Sequence, residues 1–455
     1  MNPRLRSILI AIGLLTIVIV GIILIPRGLS IYYQSRGGQH IDYVMRSVEG
    51  IQELVCDPLP ESSQAAIEEV EDGIENLHRA VRFNRRNSQA YYHLGKAYCL
   101  LGEPEDAMKS YQQYTVLRPD NPLGHIGLGF AYEELGETDS SMNAWRESRL
   151  TTNNFLEVGN QFLELQQYDN ALNWYQRAEK FDPGNGIPWY HIGVILEELD
   201  ELEAAQSAYE QAINLSPSYV DSYYALGDIA LNKNEDYENA IYYYLQAANI
   251  DSLPIRAYLG IGESGEKLND DGQALDAYLH ANTLTTQVNV DGYDDWWLRI
   301  WPKYTLGDYY LREGNLNLAK STFQEAIDMD KNQYFSVWSL WGLGRAAAQN
   351  HEYESAKEHL SQALKLKSNF YLFSQINLAM GQALIGQGDY DQGLKFISIA
   401  HEEHPSNKGL HLFYAVMLTE AGRKEEAISE YKHYLEMWPG DSQAIKALDQ
   451  LLNNY

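Results

Sequence analysis

The chain has 455 residues, 45% of them apolar and 21% charged, with 34 basic against 63 acidic side chains and a formal net charge of -29. The apolar share excludes wholesale disorder. The acidic surplus excludes a nucleic-acid binder, which needs Lys and Arg to neutralise phosphates, and it disfavours docking on anionic lipid through a basic face. Cys56 and Cys99 are the only cysteines, too few for a disulfide scaffold or a Cys-rich zinc site.

In chain order, residues 1–7 read as a short tail and residues 8–25 as a transmembrane anchor. The run ILIAIGLLTIVIVGIILI carries no charge, and as a helix it reaches about 27 Å, enough for a hydrocarbon core. A cleaved signal peptide has an apolar stretch of about 7–15 residues and a small-x-small site after it. Neither feature fits PRGLSIYYQSRGG. A single-pass protein is therefore expected, in contact with the lipid bilayer through residues 8–25. Arg4 and Arg6 on one side nearly balance Arg27 and Arg36 on the other. A short basic tail favours an N-terminus inside, which makes the remainder extracytoplasmic. Pro26 and Arg27 are expected to end the anchor, residues 26–40 to form a juxtamembrane linker, and residues 41–87 a helical pair broken by DPLPESS.

From residue 88 to 441 one pattern recurs at steps of about 34 residues. A marker glycine stands at Gly95, Gly129, Gly159, Gly193, Gly227, Gly262, Gly307, Gly344 and Gly381, with Ala415 in the tenth slot. A large residue follows in each unit: Tyr111, Trp145, Tyr175, Tyr209, Tyr244, Tyr278, Phe323, Leu360, Ile397 and Tyr431. Small residues precede and follow the large one, as Ala171 and Ala178 do around Tyr175. Small positions let two helix backbones approach, and the large side chain fills the gap beside them. Intervening turns such as LGEPED and LNDDGQ carry Gly, Asn and Asp, which end one helix and cap the next. The expected fold is all-α, a pair of antiparallel helices per unit, with residues 442–455 as a C-terminal capping helix. An insertion at about 286–302 interrupts the period.

These residues resemble the tetratricopeptide repeat family; Tyr91, Leu94, Gly95, Tyr98, Ala107, Tyr111 and Pro119 form the best copy. The resemblance covers about ten units. It implies a right-handed superhelical solenoid whose first helices line a concave groove, with the position three before each marker pointing inward. Those positions are Tyr92, Ile126, Leu156, Tyr190, Tyr224, Leu259, Tyr304, Trp341, Leu378 and Leu412. All are apolar or aromatic, which suits either an extended or helical protein segment or packing of neighbouring first helices. The slot just after the marker holds Lys96, Phe130, Asn160, Val194, Asp228, Glu263, Asp308, Arg345, Gln382 and Val416. That set lacks the cation-and-amide clamp with which family members hold chaperone tails, and it lacks an asparagine ladder.

Within the insertion, Trp296, Trp297 and Trp301 offer either an aromatic contact site for a partner or a plug on the solenoid, with Pro302 beginning the next helix. Gly260, Gly262 and Gly265 have dinucleotide-loop spacing but fall inside a repeat helix. His401 and His404 are one residue too close for the HExxH motif and suit a helix C-terminus. Cys99 lies on a repeat helix, which favours free burial over pairing with Cys56. No nucleophile has a base beside it. The expectation is a scaffold without catalytic residues, metal or cofactor, binding other proteins in envelope assembly, secretion or export complexes. The alternative is an accessory subunit of a membrane enzyme such as a glycosyltransferase or protease.

Overall fold

All regular structure is helical among the residues that the computed structural model describes, namely 25–47, 56, 58–60, 63–285, 297–330, 335–366 and 370–453. The chain divides into two compact units, Met1–Ile195 and Leu196–Tyr455. The first holds α1 (Ile25–Ser47), α2 (Gln64–Phe83), α3 (Ser88–Leu100), α4 (Pro104–Leu117), α5 (Pro122–Glu134), α6 (Thr138–Glu147), α7 (Thr152–Glu164) and α8 (Tyr168–Phe181), and the division falls within α9 (Ile187–Glu198). The second holds α10 (Leu202–Leu215), α11 (Val220–Asn232), α12 (Tyr237–Ile250), α13 (Ile255–Lys267), α14 (Asp271–Leu284), α15 (Trp297–Arg312) and α16 (Leu316–Met329). It continues with α17 (Ser336–Gln349), α18 (Tyr353–Lys365), α19 (Phe370–Gly386), α20 (Tyr390–Glu403), α21 (Lys408–Glu420), α22 (Lys424–Met437) and the terminal helix α23 (Ser442–Asn453).

The marker glycines are sockets for the large residue of the same helix pair. A Cβ at Gly95 would lie 2.6 Å from the Tyr111 ring, and one at Gly307 would lie 2.8 Å from Phe323. For Tyr111, Tyr244 and Phe323 the ring is also held from a second side by a glycine of the following first helix. A Cβ at Gly127 would meet Tyr111 at 2.5 Å, and one at Gly342 would meet Phe323 at 2.5 Å. Tyr244 sits in the same way between Gly227 and Gly260. In these three pairs one aromatic side chain thus sets the spacing inside a repeat and the spacing to the next. The flanking alanines, such as Ala171, Ala178, Ala240 and Ala247, are fully buried, because any larger group would push the paired backbones apart. Gly262 and Gly265 face Tyr278 and Ala274 from within α13, so the glycine-rich stretch there packs helices and is not a phosphate loop.

Short turns join the helices, and Asn or Asp caps many starts: Asn87, Asp270 and Asn407 accept the N–H groups of Ala90, Gln273 and Leu410. The chain leaves several first helices through a left-handed residue. Gly102 and Gly388 take this place at φ 69° and 93°, whereas Gln166 and His351 take it at φ 58°.

The N-terminal part differs from the sequence expectation. The anchor at 8–25 lies outside the described residues apart from Ile25. No helix among the described residues is long and apolar enough to cross a membrane. Residues 26–40, expected as a linker, are the body of α1, and the helical pair expected from residue 41 consists of α1 and α2. Ser30, Gly37 and Ile41 recur at helical spacing on one buried face of α1. A Cβ at Gly37 would collide with Leu77 and the Gly73 carbonyl. The Ser30 hydroxyl donates to the Ala80 carbonyl at 2.8 Å. Absence of a side chain at Gly37 and Gly73 is what brings these two helices together, so Gly37, within the stretch expected as linker, is a contact point.

Cys56 and Cys99 form a disulfide, with Cα atoms 4.5 Å apart. This corrects the expectation of two free thiols. The segment before α2 returns to the end of α3: the Leu59 N–H donates to the Leu100 carbonyl at 2.8 Å, and Leu59 joins the core of Leu94, Ala97 and Leu100. That return places Cys56 against Cys99 although Cys99 belongs to a repeat helix.

In the insertion, residues 286–296, including Trp296, lie outside the described residues, as does the side chain of Trp297. Trp301 packs on Tyr304, Trp338 and Phe335, with ring centroids 5.1, 5.5 and 6.4 Å away. Pro302 does not begin a helix. It stands inside α15, which is already formed from Trp297. Near the start of a helix proline removes a single backbone bond. The C-terminal helix matches its expected position, with residues 454–455 outside the described residues.

Candidate partner-binding face

Of the ten positions expected to wall the groove, Ile126, Leu156, Tyr224 and Tyr304 are buried. Tyr92, Tyr190, Leu259, Trp341, Leu378 and Leu412 are half-buried. Their partners explain this. Tyr92 packs its ring on Tyr111 and Tyr114 at 6.1 and 5.4 Å. Tyr304 meets Phe323 at 5.8 Å, and Leu412 joins the cluster of Tyr431 and Tyr434. Much of the apolar stripe is therefore spent on packing against second helices, and the surface left to a partner is built from polar neighbours of the stripe.

In the second unit those neighbours form a ladder of charge across successive first helices. Asp228 of α11 pairs with Arg256 of α13. Glu266 of α13 takes both amino groups of Arg312 of α15, and Arg312 Nε also reaches Asp308 Oδ2 at 3.2 Å. Asp308 Oδ1 accepts from Arg345 of α17 at 2.7 Å. The guanidinium groups of Arg256 and Arg345 lie over the rings of Tyr224 and Trp341 at 4.5 and 4.7 Å. Arg345 and Gln382 then enter a cavity of about 380 Å³ with Gln349, His351 and Tyr353.

The socket tyrosines are tied to this face through their hydroxyls. Tyr244 donates to Asp228 Oδ1 at 2.6 Å, and burial, with the Asp228 charge beside it, holds that hydroxyl protonated far above its ordinary range. In the first unit Tyr175, pushed up to about 12 by burial, donates to Asn160 Oδ1 at 2.7 Å. With its oxygen engaged, Asn160 keeps its amide nitrogen as a hydrogen-bond donor. Asn160 shares one face of α7 with Asn153, Leu156, Glu157, Gln161 and Glu164, and with His191 they line a cavity of about 430 Å³. His191 stacks on Tyr175 at 4.9 Å, and burial lowers its pKa to about 4, so it is neutral at pH 7. Such a surface offers amide and carboxylate hydrogen-bonding groups on a rigid helical base, which suits a polypeptide backbone and basic side chains.

The markers that revealed the repeat also match known proteins. The pattern of the family described as TPR repeat matches residues 95–136 and 159–200, and that of the family described as Tetratricopeptide repeat matches 190–254, 304–369 and 378–442, more than half of the chain together. The chain belongs to the tetratricopeptide repeat family. Anaphase-promoting complex subunit CDC16 of Saccharomyces cerevisiae is 21% identical to it over 282 residues, 61% of this chain and 28% of that protein. Protein CTR9 homolog of Arabidopsis thaliana is 25% identical over 314 residues, 63% of this chain and 29% of that protein. The matched region thus spans less than a third of either relative. Yeast Tom70 aligns in structure over 93% of this chain and 95% of its own, at 14% identity and a TM-score of 0.42. As a tetratricopeptide repeat protein the chain is a scaffold for protein binding.

The charge ladder escaped the sequence analysis. Asp228, Asp308 and Arg345 were visible as slot residues, but Arg256, Glu266 and Arg312 fall outside the slots. Their partners stand 28 to 46 positions away, a separation that only stacking of repeats brings into contact.

Proposed function

We propose that this protein is a membrane-tethered scaffold whose first-helix face grips segments of partner proteins, and that it carries out no reaction of its own. The observation behind the reading is the polar face itself: the amide and acid row on α7, and the ladder from Asp228 to Arg345. With a net charge of -29, it would be drawn to basic partners, and steering by that field would speed their encounter. The anchor at 8–25 would raise the local concentration of the repeats at the bilayer. Placement of the repeats outside the cytoplasm is supported by the Cys56–Cys99 disulfide, since such bonds persist in oxidising compartments. Partners in envelope assembly, secretion or export fit that placement. Service as an accessory subunit of one membrane enzyme would use the same surface.

The test is site-specific photo-crosslinking in intact cells. A photoreactive residue at Gln161 or Gln382, on the groove face, is expected to trap a discrete partner. The same group at Lys109 or Gln324, exposed on second helices, is expected not to. Equal trapping from the second helices would overturn the groove as the binding face. Protease added outside wall-stripped cells is expected to remove a C-terminal tag; protection of the tag until lysis would move the repeats to the cytoplasm.

A further inference from the structure

One of the two histidines that fail as an HExxH motif, His401, belongs to a different group. His401 lies in the last turn of α20, His411 in the first turn of α21, and Glu430 in the middle of α22. His401 Nε2 is 2.7 Å from His411 Nδ1 and 3.1 Å from Glu430 Oε1, while His411 Nδ1 is 2.7 Å from the same Oε1. Three potential ligand atoms thus form a closed triangle. The second ring nitrogen of His411, Nε2, lies 2.9 Å from the Pro405 carbonyl oxygen. A carbonyl only accepts, so Nε2 carries the hydrogen and donates it. In a neutral ring that leaves Nδ1 as a bare lone pair, turned toward a carboxylate oxygen that is also only an acceptor. A single hydrogen on His401 Nε2 serves one of these contacts and leaves the other repulsive. His411 is only 1% exposed, so water cannot relieve the conflict from its side.

We propose that His401, His411 and Glu430 are a binding site for a divalent transition metal, with zinc the ion of choice. Imidazole nitrogen and carboxylate oxygen are the donors that zinc takes, at about 2.0–2.2 Å, and tetrahedral bonds of that length set ligands about 3.3 Å apart. The 3.1 Å edge nearly matches that spacing and the two 2.7 Å edges must open by about 0.6 Å, which side-chain torsions supply. The Pro405 carbonyl has the role of the outer partner that fixes the tautomer and orientation of a ligating histidine. The side chains of His401 and Glu430 keep 16% and 14% exposure, so the fourth position opens toward solvent and takes a water. Bound there, the ion ties three consecutive helices of the last repeats together.

The experiment is zinc titration of the detergent-solubilised full chain after chelator treatment, with metal content measured per chain. One zinc per chain is expected, with a rise in melting temperature, and cobalt in its place is expected to give the visible absorption of a four-coordinate site. Glu430→Gln and His401→Gln, at the exposed edge, are each expected to weaken zinc binding by about 100-fold or more while the far-ultraviolet circular dichroism stays native. Absence of stoichiometric zinc on the folded wild-type protein would overturn the site, and nitrogen NMR showing a doubly protonated His411 would then assign the triangle to a shared proton. Binding that persists unchanged in the folded double variant would overturn it as well, by placing the metal on the acidic surface.

Discussion

The socket layer between paired helices and the polar face of the first helices use the same tyrosines for opposite purposes. Inside a socket the ring of Tyr244 is clasped between Gly227 and Gly260, dry and sterically fixed. At its far end the hydroxyl emerges beside Asp228 and Arg256. Packing in the socket is a matter of shape, and one methyl group too many is felt. The face is a matter of charge partners that are half-exposed, so each contributes little to stability and much to what can bind. The difference teaches that stability and recognition are separated by a few ångströms along one side chain.

The sharpest break is Tyr244→Ala against Tyr244→Phe. Removing the ring empties a socket shared by two repeats and is expected to cost about 3–5 kcal/mol. Removing only the hydroxyl is expected to cost about 1 kcal/mol. Urea unfolding followed by circular dichroism measures both, and similar costs for the two variants would show that the socket is not the stabilising element.

The disulfide tests a fastening outside both layers. It joins residues 43 apart, and its loss in a Cys56→Ser, Cys99→Ser variant is expected to cost about 2–4 kcal/mol. Thermal melts with and without reductant should show the same drop in wild type and none in the variant.

Acid should act on the socket edge. Burial lowers the pKa of His191 to about 4 and also lowers those of His93 and His359. Between the unfolded value near 6.5 and the folded value near 4, the unfolded chain binds more protons. Stability is therefore complete above about pH 6.5 and is lost as pH falls toward 4. For His191 the loss is on the order of 3 kcal/mol, and His191→Phe should flatten that part of the profile in pH-dependent melts.

On the face, Arg345→Ala is expected to change stability by about 1 kcal/mol or less, yet to alter crosslinking at Gln382. Destabilisation as large as that of Tyr244→Ala would mean that the ladder holds the fold. The smallest effect is expected at Gln166, whose φ of 58° suits glycine. Gln166→Gly relieves left-handed strain and adds unfolded-chain entropy, for a net gain of roughly a few tenths of a kcal/mol in the same melts.

The repeats were legible because their grammar is local. Gly95 and Tyr111 lie on two helices joined by one short turn, so a fixed spacing along the chain is a fixed distance in space. Their partnership is readable from the sequence alone. The stretch around Gly37 is opaque for the complementary reason: Gly37 looks like a linker residue until Gly73 and Leu77 are placed opposite it. The apolar stripe was legible as a stripe, but the sequence does not show which neighbour covers Tyr224 or Tyr304.

By itself the sequence determined the helix pairs, their family and their register, since small and large residues at repeat spacing permit only one way to dock paired helices. Tertiary structure decided which distant groups meet: Cys56 with Cys99, Arg312 with Glu266, and His401 with His411 and Glu430. These pairings span several turns or a whole repeat, where the angle between stacked helices, rather than the spacing along the chain, sets which side chains converge.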